Sequence, residues 1–380
     1  MFLDNTQVKT LHAHKVDILL SLSETELRDI IENYDLLITG SQKECANLSD
    51  LNPELKIFIY HSISTIREDS EYIKTARANG WILKDSSGNE VYYTFINGIK
   101  MYYIDVGNPE FRMWWAEVVN ERIKDTHISG VFGDVTRSNF VQPSSTPIDP
   151  RTGKAYSNQQ YAMDMALLVK KIKETTGKIY ISNGYGLLCG SHSSGYYQNK
   201  KYADLILAEV DGICLEGFIR FRDDEYWRPA EDWEKDLKFL DFLNKKGKMT
   251  LAWTLTTGSL PKEATQDKIA LYGYATYLLA RRGGNAYFTA RDYEDEFLRI
   301  SKIELGHPVD EYHIRNDVPV FERTFDKALV LVNPNDVPYV ISLDGTYKTL
   351  DNMPISKISL EPHTGLILKN EILSFTRDKI

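Results

Sequence analysis

Gly130-Val131-Phe132-Gly133-Asp134 and Gly212-Ile213-Cys214-Leu215-Glu216 are built to one plan. Each is a short apolar run, of strand length, that opens on glycine and closes on a carboxylate. A period of two puts Gly130, Phe132 and Asp134 on one face, and Gly212, Cys214 and Glu216 on one face. Similar runs recur at Thr10 to Ala13, Leu36 to Thr39, Ile57 to Tyr60, Ile179 to Ser182, Thr250 to Trp253 and Ala286 to Phe288, with Val16 to Leu20 competing for the first place. Helical patterns lie between them. That alternation reads as repeated βα units around a parallel sheet, and eight is the strand number that closes one. The expected fold class is α/β, a (β/α)8 TIM barrel over 1–315.

The helices between the strands carry explicit signals. Asn108-Pro109-Glu110 offers a capping side chain, a proline at the first helical position and an acid facing the dipole. Phe111, Trp114, Trp115, Val118, Val119 and Ile123 follow at helical spacing. Tyr161, Met165, Leu168, Val169 and Ile172 form a second stripe stopped at Gly177, and Trp233, Leu237, Leu240 and Leu243 a third stopped at Gly247. These stripes read as core.

Two segments break the pattern. Residues 81–106 contain a hairpin-like run, Leu83 to Val91, and a strand-like run, Tyr102 to Val106, which marks an insertion on the side of the barrel where loops follow strands. Beyond 315, Val318 to Phe325, Ala328 to Val332, Tyr339 to Leu343, Ile358 to Leu360 and Gly365 to Leu368 are strands with no helix between them. They predict a small antiparallel sheet or β-sandwich over 316–370, with 371–380 as a tail.

Composition narrows the chemistry. Apolar residues make up 42% of 380, enough for a sizeable core. A net charge of −9 argues against nucleic acid and anionic membranes as partners, and no 18-residue apolar run could span a bilayer. The 23 tyrosines and 6 tryptophans are suited to stacking on sugar faces, though most tyrosines in such a fold pack between sheet and helix. Cys45, Cys189 and Cys214 form neither a disulfide framework nor a metal motif. Met1 to Asn5 lack the basic and apolar regions of a signal peptide, which leaves an intracellular protein or one whose leader has been removed.

In a barrel, chemistry sits where strands end. Asp134 and Glu216 hold such positions. Two carboxyls flanking one bond are what glycosidic cleavage requires: one protonates the leaving oxygen, the other attacks or activates water. Either acid alone could as well cap a loop or pair with an arginine. Tyr60, His61, Asn183, Trp253 and Tyr287 also stand at strand ends, and Asp85 and Asp105 reach out of the insertion. All seven are expected to line a sugar-binding mouth. Arg137 and Ser138 near Asp134 suggest the nucleophile or base; Leu215 and Phe218 beside Glu216 suggest an acid in apolar surroundings. No metal or cofactor is needed for this chemistry.

These residues resemble a known group. Val131-Phe132-Gly133-Asp134, Asp211 to Phe218, Trp81 to Asp85, Asn108 to Arg112, Phe321-Glu322-Arg323-Thr324-Phe325 and Leu329 to Pro334 are similar to the glycoside hydrolases called hypothetical glycosyl hydrolase family 15. The resemblance covers most of 30–370. It implies a barrel followed by a small β-domain. By looser similarity to barrel glycosidases with acids on strands four and six, it implies Asp134 and Glu216 as the pair and a retaining outcome. It carries over no substrate.

Other classes fit less well. A carbohydrate-binding barrel without catalysis would keep the aromatic mouth and not need both acids. His12-Ala13-His14 is an HxH of the kind found in metal-dependent amidohydrolase barrels, but such a site needs histidines at strand ends five and six, where Asn183 and Glu216 stand. Gly184 to Gly190 lacks the spacing and acidic partner of a dinucleotide loop and reads as an active-site loop.

Overall fold

The computed structural model describes residues 9–13, 34–40, 45–95, 98–184, 192–221, 224–291 and 300–370, with isolated positions 23, 25, 28, 31, 32, 42, 293 and 297; for 9–13 and 192–199 it gives the backbone. Val16 to Leu20, His14, Tyr185 to Gly190 and the expected tail lie outside the described residues. The fold is α/β, with a mostly parallel, nearly closed barrel sheet and a separate antiparallel sheet. By internal contacts the chain divides into two compact units, Ala13–Cys214 and Met1–His12 with Leu215–Ile380.

The first unit holds β2 (Leu36–Thr39), β3 (Lys56–Ser62), β7 (Gly130–Asp134), β10 (Ile179–Asn183) and the start of β11 (Gly212–Glu216), all parallel. Its described helices are α1 (Cys45–Leu51), α2 (Tyr72–Ala78), α3 (Pro109–Ile123), α4 (Asn158–Thr176) and α5 (His192–Glu209). The expected caps form. Asn108 accepts from the Glu110 and Phe111 amides, and Ser157 accepts from Gln160. Gly177 ends α4 at φ 64°, the left-handed turn that glycine favours. Phe111, Trp115, Val119 and Ile123 are buried on α3, and Tyr161, Met165, Leu168, Val169 and Ile172 on α4.

The insertion begins earlier than its sequence suggests. Strand β4 (Thr65–Arg67) pairs with β6 (Lys100–Tyr103), which pairs with β5 (Tyr92–Thr94), so the small antiparallel sheet takes in residues upstream of 81. The hairpin at 83–91 is tied by a bridge between Lys84 and Glu90. A second short hairpin, β8 (Ile148–Asp149) with β9 (Lys154–Ala155), lies in the segment after β7.

In the second unit, β1 (Lys9–Ala13) pairs with β13 (Ala286–Arg291), and β13 with β12 (Met249–Leu255), again in parallel. Helices α6 (Ala230–Lys245) and α7 (Gln266–Ala280) belong to it. Trp233, Leu237, Leu240 and Leu243 are buried on α6, while α7 is buried almost all round. The reason is the C-terminal sheet: a Cβ on Gly365 would come within 2.5 Å of Ala275 Cβ, so this sheet lies directly on α7.

That sheet is the antiparallel β-domain the sequence predicts, in its single-sheet form. Strands β14 (His313–Ile314), β15 (Phe321–Phe325), β16 (Ala328–Asn333), β17 (Tyr339–Lys348), β18 (Pro354–Leu360) and β19 (Thr364–Asn370) form one six-stranded antiparallel sheet, ordered β14-β15-β16-β19-β17-β18. A register shift between Ser342 and Tyr347 breaks β17: it pairs with β18 on both sides of the shift but with β19 through Tyr347 and Lys348. Such irregularities bend a strand. One face then gathers Val320, Leu329, Leu331, Ile341, Leu343, Leu360 and Leu368 into a core of its own, and the other packs Phe321 on Trp233 with ring centroids 4.7 Å apart.

Candidate active site

The chain turns sharply after each of three strand ends. Asp134, Asn183 and Glu216 are the last residues of β7, β10 and β11, and Val135, Gly184 and Gly217 follow at φ 57°, 81° and 85°. Glycine adopts this region without strain. A β-branched valine does not, so Val135 is a strained position held by its surroundings. Ser64 Oγ donates to the Val135 carbonyl at 2.7 Å, and the Ile63 amide donates to the Asp134 carbonyl at 2.9 Å. Thr136 Oγ1 bonds both the Gly133 carbonyl and the Tyr180 hydroxyl. A side chain on Gly133 would strike that hydroxyl, 2.2 Å from its Cβ. The backbone around Asp134 is therefore fixed from several sides.

Three candidate residues meet at this point. Tyr60 donates to Asp134 Oδ2 at 2.5 Å. Asn183 Nδ2 and the Val135 amide donate to Oδ1 at 3.0 and 2.9 Å. Register explains the meeting: Tyr60 is opposite Phe132, with rings 6.3 Å apart and nearly parallel, and Asp134 is opposite Ser62. Tyr60 keeps 40% of its surface exposed.

A second group forms at the strand ends of the other unit. Arg291 Nη1 lies 3.0 Å from Glu216 Oε1, and its guanidinium carbon sits 5.1 Å from the centre of the Trp253 ring. The Gly217 amide donates to the Trp253 carbonyl at 2.8 Å. The apolar setting expected for Glu216 is thus not what its carboxylate meets. Leu215 and Phe218 are buried, while the carboxylate takes a guanidinium. Arg291 lies at the end of β13, three residues past Phe288, where the apolar run in the sequence stops. The signal was present: Tyr287, Thr289 and Arg291 continue one face at period two.

The remaining candidates go elsewhere. His61 follows Tyr60 on an extended strand and so points the other way, 4.7 Å from the Trp115 ring in the helical layer and only 4% exposed. Arg122 Nη1 donates to its Nδ1 at 2.6 Å, which puts the proton on Nε2. Burial first, and the Arg122 charge second, lower its pKa to about 3. Asp85 uses both oxygens in its own turn, accepting from the Ser87 and Asn89 amides and from Asn89 Nδ2. Asp105 is 5% exposed and accepts from the Gly107 amide; burial pushes its carboxyl above the ordinary aspartate value. It lies beside an ion-pair network in which Arg151, itself exposed, pairs with the buried Asp149 and Asp164. Tyr287 is fully buried, on the strand face that ends at Arg291. The side chain of Arg137 lies against Gly184.

The His12 side chain lies outside the description, as does His14, so the HxH pattern has no described geometry. Among the described residues, no group of three or more His, Cys, Asp or Glu is placed to hold a metal ion, and no helix is long and apolar enough to cross a membrane.

Solved structures share this framework. A maltogenic alpha-amylase, AmyB, from Thermotoga neapolitana is similar over 97% of this chain and 99% of its own, with a TM-score of 0.58 and 13% identity. An alpha-amylase from Malbranchea cinnamomea is similar over 95% and 96%, with a TM-score of 0.53 and 8% identity. A cycloalternan-degrading enzyme from Trueperella pyogenes, in complex with a covalent intermediate, is similar over 95% of this chain and 60% of its own, with a TM-score of 0.50 and 11% identity. At such identities the likeness is one of fold. No curated protein sequence matches the chain.

Fold and family together define the class: a glycoside hydrolase, an enzyme whose substrate is a carbohydrate. The chain belongs to hypothetical glycosyl hydrolase family 15, whose model matches residues 49–329.

Proposed function

We propose that Asp134 and Glu216 are the two working carboxylates of a retaining glycoside hydrolase. Asp134 attacks the anomeric carbon. Glu216 protonates the leaving oxygen and then takes a proton from the incoming water. This reading takes the parallel sheet as a complete (β/α)8 barrel over 1–315, followed in the chain by the β-domain 316–370. The observation that supports it best is the anchoring of Asp134. A nucleophile must be held with one oxygen aimed, and Asp134 has donors on both oxygens from three separate residues. The covalent intermediate named for the Trueperella enzyme leans the same way.

One observation favours a second assignment, with the roles exchanged: the guanidinium on Glu216 is a partner that would suit an ionised nucleophile. Aryl glycosides separate the two. The two amylases among the similar structures make α-glucosides the first series to try. Asp134→Asn is expected to lose hydrolysis of both 4-nitrophenyl and 2,4-dinitrophenyl glycosides, by about 10⁴-fold or more. Glu216→Gln is expected to lose the first and keep rapid release from the second, whose leaving group needs no proton. The mirrored pattern would exchange the roles. Full activity in either variant would remove that residue from the mechanism.

A further inference from the structure

The two oxygens of Asp134 are held unequally. Oδ1 accepts from the Val135 amide and from Asn183 Nδ2. Oδ2 accepts from the Tyr60 hydroxyl at 2.5 Å. The Val135 amide belongs to the strained turn and cannot move away. Tyr60 is 40% exposed, and its hydroxyl can turn to another acceptor.

We propose that Oδ2 is the oxygen that attacks, and that Tyr60 is a positioning residue whose hydrogen bond divides the two half-reactions. This rests on Asp134 being the nucleophile. Once an ester forms, the bonded oxygen becomes a poor acceptor and the other becomes a carbonyl. Bonding through Oδ1 would leave two donors, one of them immobile, against a poor acceptor. Bonding through Oδ2 leaves both donors on the carbonyl and releases only Tyr60.

The consequence is an asymmetry between steps. In the first, the Oδ2 lone pair forms the bond to the anomeric carbon, the bond to the leaving oxygen breaks, and Glu216 supplies that oxygen with a proton. The hydrogen bond from Tyr60 is given up here, so it opposes attack. In the second, water adds to the anomeric carbon, a water proton passes to Glu216, and the electron pair returns to Oδ2. Tyr60 now donates to the departing carboxylate and assists it. Hydrogen bonds to a charged acceptor have the size to change a step about ten- to hundredfold.

The test is Tyr60→Phe, assayed with a 2,4-dinitrophenyl glycoside that the wild type turns over. The variant is expected to lose about ten- to hundredfold in kcat, with KM falling in parallel and kcat/KM within about threefold of wild type. It should also show a burst of dinitrophenolate and a glycosyl adduct in the mass spectrum of quenched protein. A fall in kcat/KM with KM unchanged and no adduct would overturn the proposal, since that is what a merely structural tyrosine produces. Asp134→Gly with added azide keeps the underlying reading separately testable. Rescue with formation of a glycosyl azide supports Asp134 as nucleophile whatever Tyr60 does; absence of rescue, with no adduct on Asp134 in any variant, would overturn that reading and the proposal with it.

Discussion

Arg291 binds the Glu216 carboxylate at 3.0 Å while its guanidinium lies over the Trp253 ring. The planar group does two things that an ammonium cannot do together: it aims a donor at Oε1 and it stacks. Arg291→Lys is therefore expected to lower kcat/KM on an aryl glycoside by about tenfold, and Arg291→Gln by more. Both variants should melt within a few degrees of wild type, because Arg291 is partly exposed. Unchanged kcat/KM in both would separate Arg291 from the working site.

Burial makes His61 a source of acid sensitivity. Its folded pKa of about 3 lies below the ordinary value of 6.5. Below pH 6.5 the unfolded chain takes up a proton that the folded protein refuses. The stability tied to neutral His61 is complete above pH 6.5 and declines as pH falls toward 3, by ~1.4 kcal/mol per pH unit. Denaturant melts of His61→Phe between pH 7 and 4.5 should show a shallower loss of stability than wild type, whatever the two proteins' difference at pH 7. Equal slopes would show that His61 does not set the acid limb.

Asp85 is committed to its own turn, with three hydrogen bonds inside residues 85–89. Asp85→Ala should lower the melting temperature slightly, with kcat/KM within about threefold of wild type. A loss of activity far larger than the loss of stability would return Asp85 to the substrate.

Arg323 sits in the Phe321-Glu322-Arg323-Thr324-Phe325 strand and is 3% exposed. It donates to the carbonyls of Leu278, Leu279 and Arg281, closing the C-terminal end of α7, and to that of Asp310. Burial lowers its pKa to about 10, still well above neutrality. Arg323→Ala strands those carbonyls and is expected to cost about 1–3 kcal/mol. Arg323→Lys, with one charge and a different reach, should recover part of that loss. Chemical denaturation of the three proteins checks the order.

The strands around the site were legible because each closes an apolar run with a polar residue. β7 and β11 close on Asp134 and Glu216, the carboxylates that end their runs in the sequence, and β10 extends one residue past Ser182, to Asn183. What escaped has local causes. Tyr60 and His61 stand at the same strand end, but neighbours on a strand face opposite ways. Tyr60 reaches Asp134, and His61 reaches Trp115. Asp85 looked available because a sequence does not show that a turn will use both its oxygens. The irregularity in β17 did have a signal, Asp344-Gly345, which lies inside the register shift with Gly345 at φ 135°. Arg291 had one too, in the alternation that continues past the apolar run.

The stereochemistry of the first product tests Asp134 as the nucleophile most directly. A proton NMR time course of wild-type hydrolysis, followed on an aryl glycoside faster than mutarotation, reads it without any substitution. The sugar is expected to appear first in the anomeric configuration of the substrate, by double displacement through Asp134. First appearance of the opposite anomer would mean that water attacks directly, and would contradict Asp134 as a nucleophile.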